Sequence, residues 1–371
     1  MKKTINVGVV GCGYWGPNLV RNLRQLPDCE LKMMCDVSER RLAHLRTLYP
    51  EVAGTTDFNV MLNGVGLDAV VIATPVRFHY SMAKACLLAG KHVMIEKPMA
   101  ASVAECQELV DIARKQGLIL MVGHTFLYSP AVRKIKEIID HGDIGELRYI
   151  SARRLNLGLF QKDINVTWDL APHDLSIILY VMEEEPHTVA CYGDAHITPG
   201  IEDVTNLYLS FRKNRAAVVQ SSWLDPKKVR EMTFVGSRRM IIYDDIASHE
   251  KIKIYDARVE TPPHYDSFAE FQYSYHYGDM YVPYVKQEEP LKVECQHFVD
   301  CIREGRTPLT SGEKGMGVVR ILEMASQSLK QNRNGHVHHE NGHKPGENGS
   351  LLVKPRAVAP VPLEVPVRVN A

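Results

Sequence analysis

The chain has 371 residues, 45% of them hydrophobic and 24% charged, which suits a globular protein of about two domains with a tail. Its 44 Lys and Arg balance 44 Asp and Glu, so no basic excess marks a nucleic-acid binder. No apolar run approaches the roughly 18 residues a membrane span needs, and the start MKKTINVGVVGCG reaches glycines too soon for a signal peptide.

Residues 4–125 alternate short apolar runs with amphipathic stretches. INVGVV (5–10), LKMMC (31–35), AVVIA (69–73), HVMIE (92–96) and LILMVG (118–123) read as strands. Helical patterns such as NLVRNLRQL and VAECQELVDIARKQG separate them. Continuous apolar strands alternating with helices predict an α/β, doubly wound parallel sheet covered on both faces. From about residue 126 the rhythm changes: a helix (PAVRKIKEIIDHG), a strand (LRYISARRL), a short helix over 169–182, then six strand-like runs with few helices between them. That order predicts an α+β domain with a mostly antiparallel sheet. Two helical patterns, LKVECQHFVDCIREG and GMGVVRILEMASQSLKQN, close it. The expected boundaries are 1–125, 126–331 and a tail, 332–371.

The tail is read as flexible over 332–350, with a proline-rich end that stays disordered or docks as an edge strand on another subunit. Its histidines 336, 338, 339 and 343 lack a fixed scaffold, so a solvated linker is favoured over a metal site. Eight scattered cysteines form no C-x-x-C pair, which fits reduced thiols in a cytoplasmic protein.

Gly11-Cys12-Gly13-Tyr14-Trp15-Gly16 is a G-x-G-x-x-G motif between a predicted strand and a predicted helix. Gly11 permits the tight turn, Gly13 lets a pyrophosphate approach the backbone, and Gly16 lets the helix pack on the strand. The helix N-terminus then faces the phosphate charge. Asp36 ends the second strand, 20 residues after Gly16, where a carboxylate takes the adenosine ribose hydroxyls and repels a 2′-phosphate. This favours NAD, with NADP left possible because Arg40 and Arg41 follow closely; capping of the next helix is the other reading of Asp36. Thr74-Pro75 and Glu96-Lys97-Pro98 end the third and fourth predicted strands, so they face the same crevice.

The segment WDLAPHDLS opens the helix predicted over 169–182. Leu175, Ile178, Leu179 and Met182 form an apolar stripe, and Asp169, His173 and Ser176 share a face turned away from it. Pro172 suits a first turn, which puts His173 near the helix N-terminus, where the dipole keeps an imidazole neutral as a general base requires. Asp169 reads equally as an N-cap. No three ligands at metal spacing occur, so no metal site is expected. Six of the sixteen tyrosines lie between 261 and 284, suited to stacking on a sugar or a base but more simply read as edge-strand or subunit packing.

With these motifs in this order, residues 4–331 resemble the glucose–fructose oxidoreductase/inositol dehydrogenase family (Gfo/Idh/MocA). The resemblance implies a Rossmann domain followed by an open-faced antiparallel sheet through which dimers or tetramers form. It implies that Lys97 contacts the nicotinamide end and the reacting hydroxyl, and that Asp169 and His173 are the family's D-x-x-x-H pair. Members often carry a second Asp where Ser176 stands, and Gly where Ala171 stands, which puts polyol contacts in doubt. WDLAPHDLS, GHTFLYSP and the 277–302 region look like the nucleotide-sugar branch, with its UDP-N-acetylglucosamine 3-dehydrogenases and sugar 3-ketoreductases.

The expected cofactor residues are Gly11, Cys12, Gly13, Tyr14, Trp15, Gly16, Asp36, Arg41, Thr74, Pro75, His79, Glu96 and Lys97. The expected substrate residues are Lys97, Arg153, Trp168, His173 and Tyr275; Lys97, His173 and Asp169 are the expected catalytic group. The expected reaction moves a hydride between NAD and a secondary hydroxyl, at C3, of a nucleotide-activated sugar. A free cyclitol or simple sugar dehydrogenase, an NADPH-dependent 3-ketoreductase and a non-catalytic dinucleotide-binding regulator are the alternatives.

Overall fold

The computed structural model describes residues 4–63, 66–260 and 273–340, with side chains to residue 332. Six parallel strands form the first sheet: β1 (Ile5–Val10), β2 (Cys29–Cys35), β3 (Ala53–Thr55), β4 (Ala69–Ile72), β5 (His92–Glu96) and β6 (Leu120–Gly123). Their order is β3-β2-β1-β4-β5-β6, so the topological switch lies between β1 and β4. Helices α1 (Gly16–Arg24), α2 (Glu39–Leu48), α3 (Phe58–Asn63), α4 (His79–Leu88) and α5 (Val103–Gln116) make the crossovers. β1, β4 and β5 are apolar because both faces are covered: Val7, Val9, Val71 and Met94 meet α1, while Val10, Val70, Ile72 and Ile95 meet α4 and α5. β3 and α3 escape sequence reading, because a three-residue strand gives no usable period.

After α6 (Pro130–Asp140) and β7 (Leu147–Leu157), the helix α7 (Val166–Met182) precedes the remaining strands. These are β8 (Thr188–Asp194), β9 (Val204–Ser210), β10 (Ala216–Ser222), β11 (Leu224–Gly236), β12 (Met240–Asp244), β13 (Ile252–Glu260) and β14 (Ser274–Tyr281). The second sheet runs β14-β13-β12-β11-β7-β10-β9-β8, antiparallel except for the β10–β7 pair. The predicted strands are all present, and β14, at the edge of the sheet, lies inside the tyrosine-rich stretch read as edge-strand or subunit packing. One face of the sheet packs on α7 through Ile150, Ala152, Leu207, Ala217, Val219 and Phe234. The alternate residues Tyr149, Tyr192, Tyr208 and Tyr277 stay exposed on the other face.

The last helices, α8 (Pro290–Glu304) and α9 (Gly312–Glu340), bring the chain back to the first sheet. Leu291, Cys295, Phe298 and Val299 of α8 join the core of β1 and α1, and Val122 N–H donates to Thr310 O at 2.8 Å. Residues 290–332 therefore cover both sheets rather than closing the second alone, because α9 presents Val319 to the first core and Ile321, Leu322 and Ala325 to the second. The helix continues to Glu340, past the start of the segment expected to be flexible. The proposed edge strand and the histidine side chains of the tail lie outside the described residues, as does Tyr265.

Candidate active site

The glycine loop fits a dinucleotide. Gly11 sits at φ +93°, and a Cβ there would meet the Ala73 backbone at 2.6 Å. A Cβ on Gly16 would lie 2.0 Å from Gly11 O, so helix and strand pack too closely for any other residue. A Cβ on Gly13 would meet only Arg41 Nη1, at 3.8 Å, which leaves this position open to a ligand. Asp36, buried at the end of β2, accepts the Cys12 N–H at 2.7 Å and the Ser38 N–H at 2.8 Å. It thus ties the loop to the second strand while its carboxylate stays beside Arg41 Nη1, 3.6 Å away. Burial and the Asp36 charge push the Cys12 thiol up to about 12, so it stays a neutral wall.

Trp15 and Glu96 join the loop to β5: the indole N–H donates to Glu96 Oε1 at 2.8 Å. Glu96 lies across Gly123, where a Cβ would come within 3.0 Å of its carboxyl group; glycine at the end of β6 makes room for it. Burial pushes the Glu96 carboxyl up to about 7, with Lys97 and the indole hydrogen bond pulling the other way. His79 does not face the crevice as expected. It is buried, with Nδ1 2.9 Å from Pro98 O and Nε2 2.7 Å from Thr74 O, and so braces the two strand-end turns against each other. Tyr14 is 92% exposed.

Lys97 leaves β5 and meets α7. Its Nζ donates to Asp169 O at 2.8 Å and lies 3.9 Å from Asp169 Oδ1. Burial lowers the Lys97 pKa, and Asp169 and Glu96 oppose that shift. Asp169 Oδ2 also accepts the Trp223 indole N–H at 3.1 Å, so the carboxylate is fixed from two sides. The helix begins three residues earlier than predicted. Asn165 is its N-cap, with its side chain accepting the Trp168 N–H, so Asp169 stands in the first turn and does not cap. Pro172 is inside the helix, not in its first turn, and His173 is its eighth residue.

The dipole argument for a neutral His173 therefore gives way to a stronger one. Burial holds its pKa well below the ordinary value, reinforced by the positive charges of Lys97, Arg154 and Arg230 and by His124. Its ring packs edge-on against Phe126, centroids 4.9 Å apart, and Phe126 is covered in turn by Arg154 at 4.8 Å. Ser176 does not face the crevice: it is buried and donates to His173 O at 2.7 Å. A helix apolar nearly all round is a buried one, and α7 is sandwiched between the second sheet and α9.

Two expected substrate residues stand elsewhere. Arg153 is on the exposed face of β7, 3.8 Å from Glu231, whereas its neighbour Arg154 points at α7 and clamps Asp174 with two 2.8 Å hydrogen bonds. Tyr275 is exposed on the edge strand β14, opposite Val259. Trp168 is anchored to α9, donating to Ser326 Oγ at 2.9 Å. Arg154, Asp174, Trp223 and His124 went unread. Period two along β7 groups Arg154 with Ile150 and Ala152, a signal that was available; His124 and Trp223 carried none. Among the described residues, no cluster of His, Cys, Asp or Glu is placed to hold a metal.

This arrangement sets an ammonium, a fixed carboxylate and a neutral imidazole beside a dinucleotide cradle, which is what hydroxyl–carbonyl interconversion needs. The comparisons with known proteins agree. The oxidoreductase family with NAD-binding Rossmann fold (GFO/IDH/MocA) matches residues 5–124, and the GFO/IDH/MocA C-terminal domain matches 132–242. The myo-inositol 2-dehydrogenase of Thermotoga maritima is 23% identical over 89% of this chain and 97% of its own. The crystal structure of UDP-N-acetylglucosamine 3-dehydrogenase from Acidithiobacillus ferrooxidans superposes with TM-score 0.73 at 23% identity, over 88% of this chain and 98% of that one. GenD2 from gentamicin A biosynthesis, in complex with NAD, gives 0.75 at 20% identity, over 90% and 96%. The glycine cradle, the Lys97–Asp169 contact and both domain matches lead to one conclusion: the chain belongs to the GFO/IDH/MocA family of NAD-binding oxidoreductases.

Proposed function

We propose that the protein interconverts a secondary hydroxyl and a ketone on a nucleotide-activated sugar, at C3, using NAD. The observation that carries this reading is Lys97 Nζ, 2.8 Å from Asp169 O and 3.9 Å from its carboxylate, close enough to His173 for its charge to be felt there. His173, neutral, takes the hydroxyl proton. Lys97 donates to the same oxygen and stabilises it as negative charge develops. Asp169 positions Lys97 while Trp223 positions Asp169. NAD, held by the Gly11–Gly16 loop and Asp36, supplies the hydride acceptor.

Two features support a nucleotide sugar over a free cyclitol. Ser176 is buried and turned onto the helix backbone, so it offers a polyol no contact. At the other end, β11 leaves its register with β7 between Leu224 and Val229, and the residues between include Lys227 and Lys228. Both lysines are exposed, and neither has an ion-pair partner among the described residues, in contrast to Arg153, Arg154 and Arg230 nearby. Free ammonium groups four and five residues after Trp223 suit a diphosphate. The likeness to UDP-N-acetylglucosamine 3-dehydrogenase points the same way, and that to inositol dehydrogenases keeps the cyclitol as second reading.

The test is absorbance at 340 nm with NAD⁺ and a panel of UDP- and dTDP-sugars beside free myo-inositol and glucose. NADH is expected with a UDP-sugar, and Lys97→Ala should lower its rate by roughly two to four powers of ten. NADH from myo-inositol alone would establish the second reading instead.

A further inference from the structure

On the face of the second sheet that packs on α7, three cross-strand pairs of β11 and β7 follow one another: Phe234–Ile150, Met232–Ala152 and Arg230–Arg154. The row turns from apolar to cationic at its third step. Like charges directly opposite each other across a strand pair are destabilising, so packing alone gains nothing from the second arginine. Both guanidinium groups lie over the ring of Phe126, in the turn Thr125–Tyr128, with Arg154 at 4.8 Å and Arg230 at 5.9 Å from its centroid. That ring stands 4.9 Å from the ring of His173. Arg230 is therefore one aromatic side chain away from the proposed base.

The two arginines differ in what neutralises them. Arg154 is 5% exposed and spends its Nε and Nη2 edge on Asp174. Arg230 is 36% exposed, and its one hydrogen bond among the described residues runs from Nη1 to Asp245 Oδ2 at 3.3 Å. Asp245 is shared, because Oδ1 accepts the Tyr243 hydroxyl at 3.0 Å and lies 3.6 Å from Lys251 Nζ. It thus orients Arg230 without cancelling its charge, and leaves the Nε and Nη2 edge able to donate. A side chain on the packed face of a sheet is exposed only where the covering elements leave a gap, and Arg230 meets that gap beside Phe126. Its charge also lowers the pKa of both Lys97 and His173.

We propose that Arg230 is the anion receptor of the substrate crevice, its guanidinium edge taking two oxygens of a carboxylate or phosphate group that the sugar carries. The planar fork matches either group, and Arg154 shows the same edge holding a carboxylate. The oxygens come from one of two sources: a carboxylate on the reacting ring, or the diphosphate, whose proposed lysines 227 and 228 shortly precede Arg230 in the chain. The inference rests on the reading of this crevice as a sugar site and deepens it.

The test is calorimetric titration of the full-length protein, saturated with NADH, with UDP, UDP-N-acetylglucosamine and the C6 carboxylic acid of that sugar. Arg230→Gln should weaken an anionic ligand by about tenfold or more, and Arg230→Lys, which keeps the charge but not the fork, by less. A loss confined to the C6 acid assigns Arg230 to a ring carboxylate; an equal loss for all three assigns it to the diphosphate. Wild-type affinity for all three in Arg230→Gln would overturn the proposal. So would a parallel loss of NADH affinity in both variants, since Arg230 would then hold the crevice together rather than the ligand. If the wild type binds none of the three, the nucleotide-sugar reading fails by itself, and free glucuronate becomes the probe. Glucuronate that binds the wild type and is weakened by Arg230→Gln keeps the receptor; glucuronate indifferent to the substitution removes it.

Discussion

At the residue scale, charge and burial set the protonation of the site. Lys97 and His173 each lose affinity for a proton by burial, and the Lys97 charge adds to the cost of charging His173. The sign is definite. With its pKa below 6.5, His173 stays neutral, and able to accept a proton, throughout the neutral range; it is lost as a base only when pH falls through that lowered value. Lys97→Met removes one positive neighbour, so the His173 pKa should move up toward 6.5, though not fully, since burial is the larger cause. ¹⁵N NMR titration of the histidines checks this; an unmoved or lowered value would contradict the electrostatic picture. Asp36 is the second residue on which much depends. Asp36→Ala removes the acceptor of the Cys12 N–H and the partner expected for the ribose hydroxyls. A hydrogen bond to a charged group contributes about 1.5–3 kcal/mol, so NAD⁺ affinity should drop about tenfold or more. Preference for NAD⁺ over NADP⁺ should shrink with it, since the charge that repels a 2′-phosphate is gone. Calorimetric titration of both cofactors reads the two effects.

At the element scale, the parts with a clear period were legible and the parts set by tertiary contact were not. β1, β4 and β5 are nearly continuous apolar runs because helices cover both faces, so sequence alone located them to within a residue or two. α7 was misread at its start, where the capping residue is Asn165 and a proline inside the helix looked like a first-turn proline. That slip of three residues moved His173 to the wrong electrostatic setting. The choice of Arg153 over Arg154 is a slip of one residue in a strand, and one residue exchanges the two faces. Glu96, chosen as a cofactor contact from its place before Lys97, proves to brace Trp15 of the loop, a contact across 81 residues that no local pattern encodes. The irregular start of β11 carries its own prediction. Lys227→Ala with Lys228→Ala should raise KM for a UDP-sugar by about tenfold, leave kcat within about twofold and lose most of its effect at high salt, since exposed charges are screened. An unchanged KM would remove these lysines from the substrate site.

At the scale of the whole molecule, the fold brings chemistry from distant parts of the chain to one crevice. The switch between β1 and β4 supplies the dinucleotide cradle, β5 supplies Lys97, and α7 supplies Asp169 and His173. The second sheet contributes Trp223 and Arg154, and the returning helices α8 and α9 lock the two sheets through shared cores. Sequence motifs pointed to the cradle and to the proposed reactive group because such chemistry requires particular residue types at fixed places. The supporting contacts stayed hidden because any well-packed partner can serve. The central claim is that His173 and Lys97 act on the C3 hydroxyl of a nucleotide sugar, and one measurement addresses it most directly. UDP-N-acetylglucosamine carrying deuterium at C3 is incubated with the enzyme and NAD⁺, and the nicotinamide product is weighed by mass spectrometry. The account predicts one deuterium per NADH formed and a slower rate than with the protio sugar. NADH formed without deuterium, or reduction of NAD⁺ by myo-inositol but not by the UDP-sugar, would contradict it.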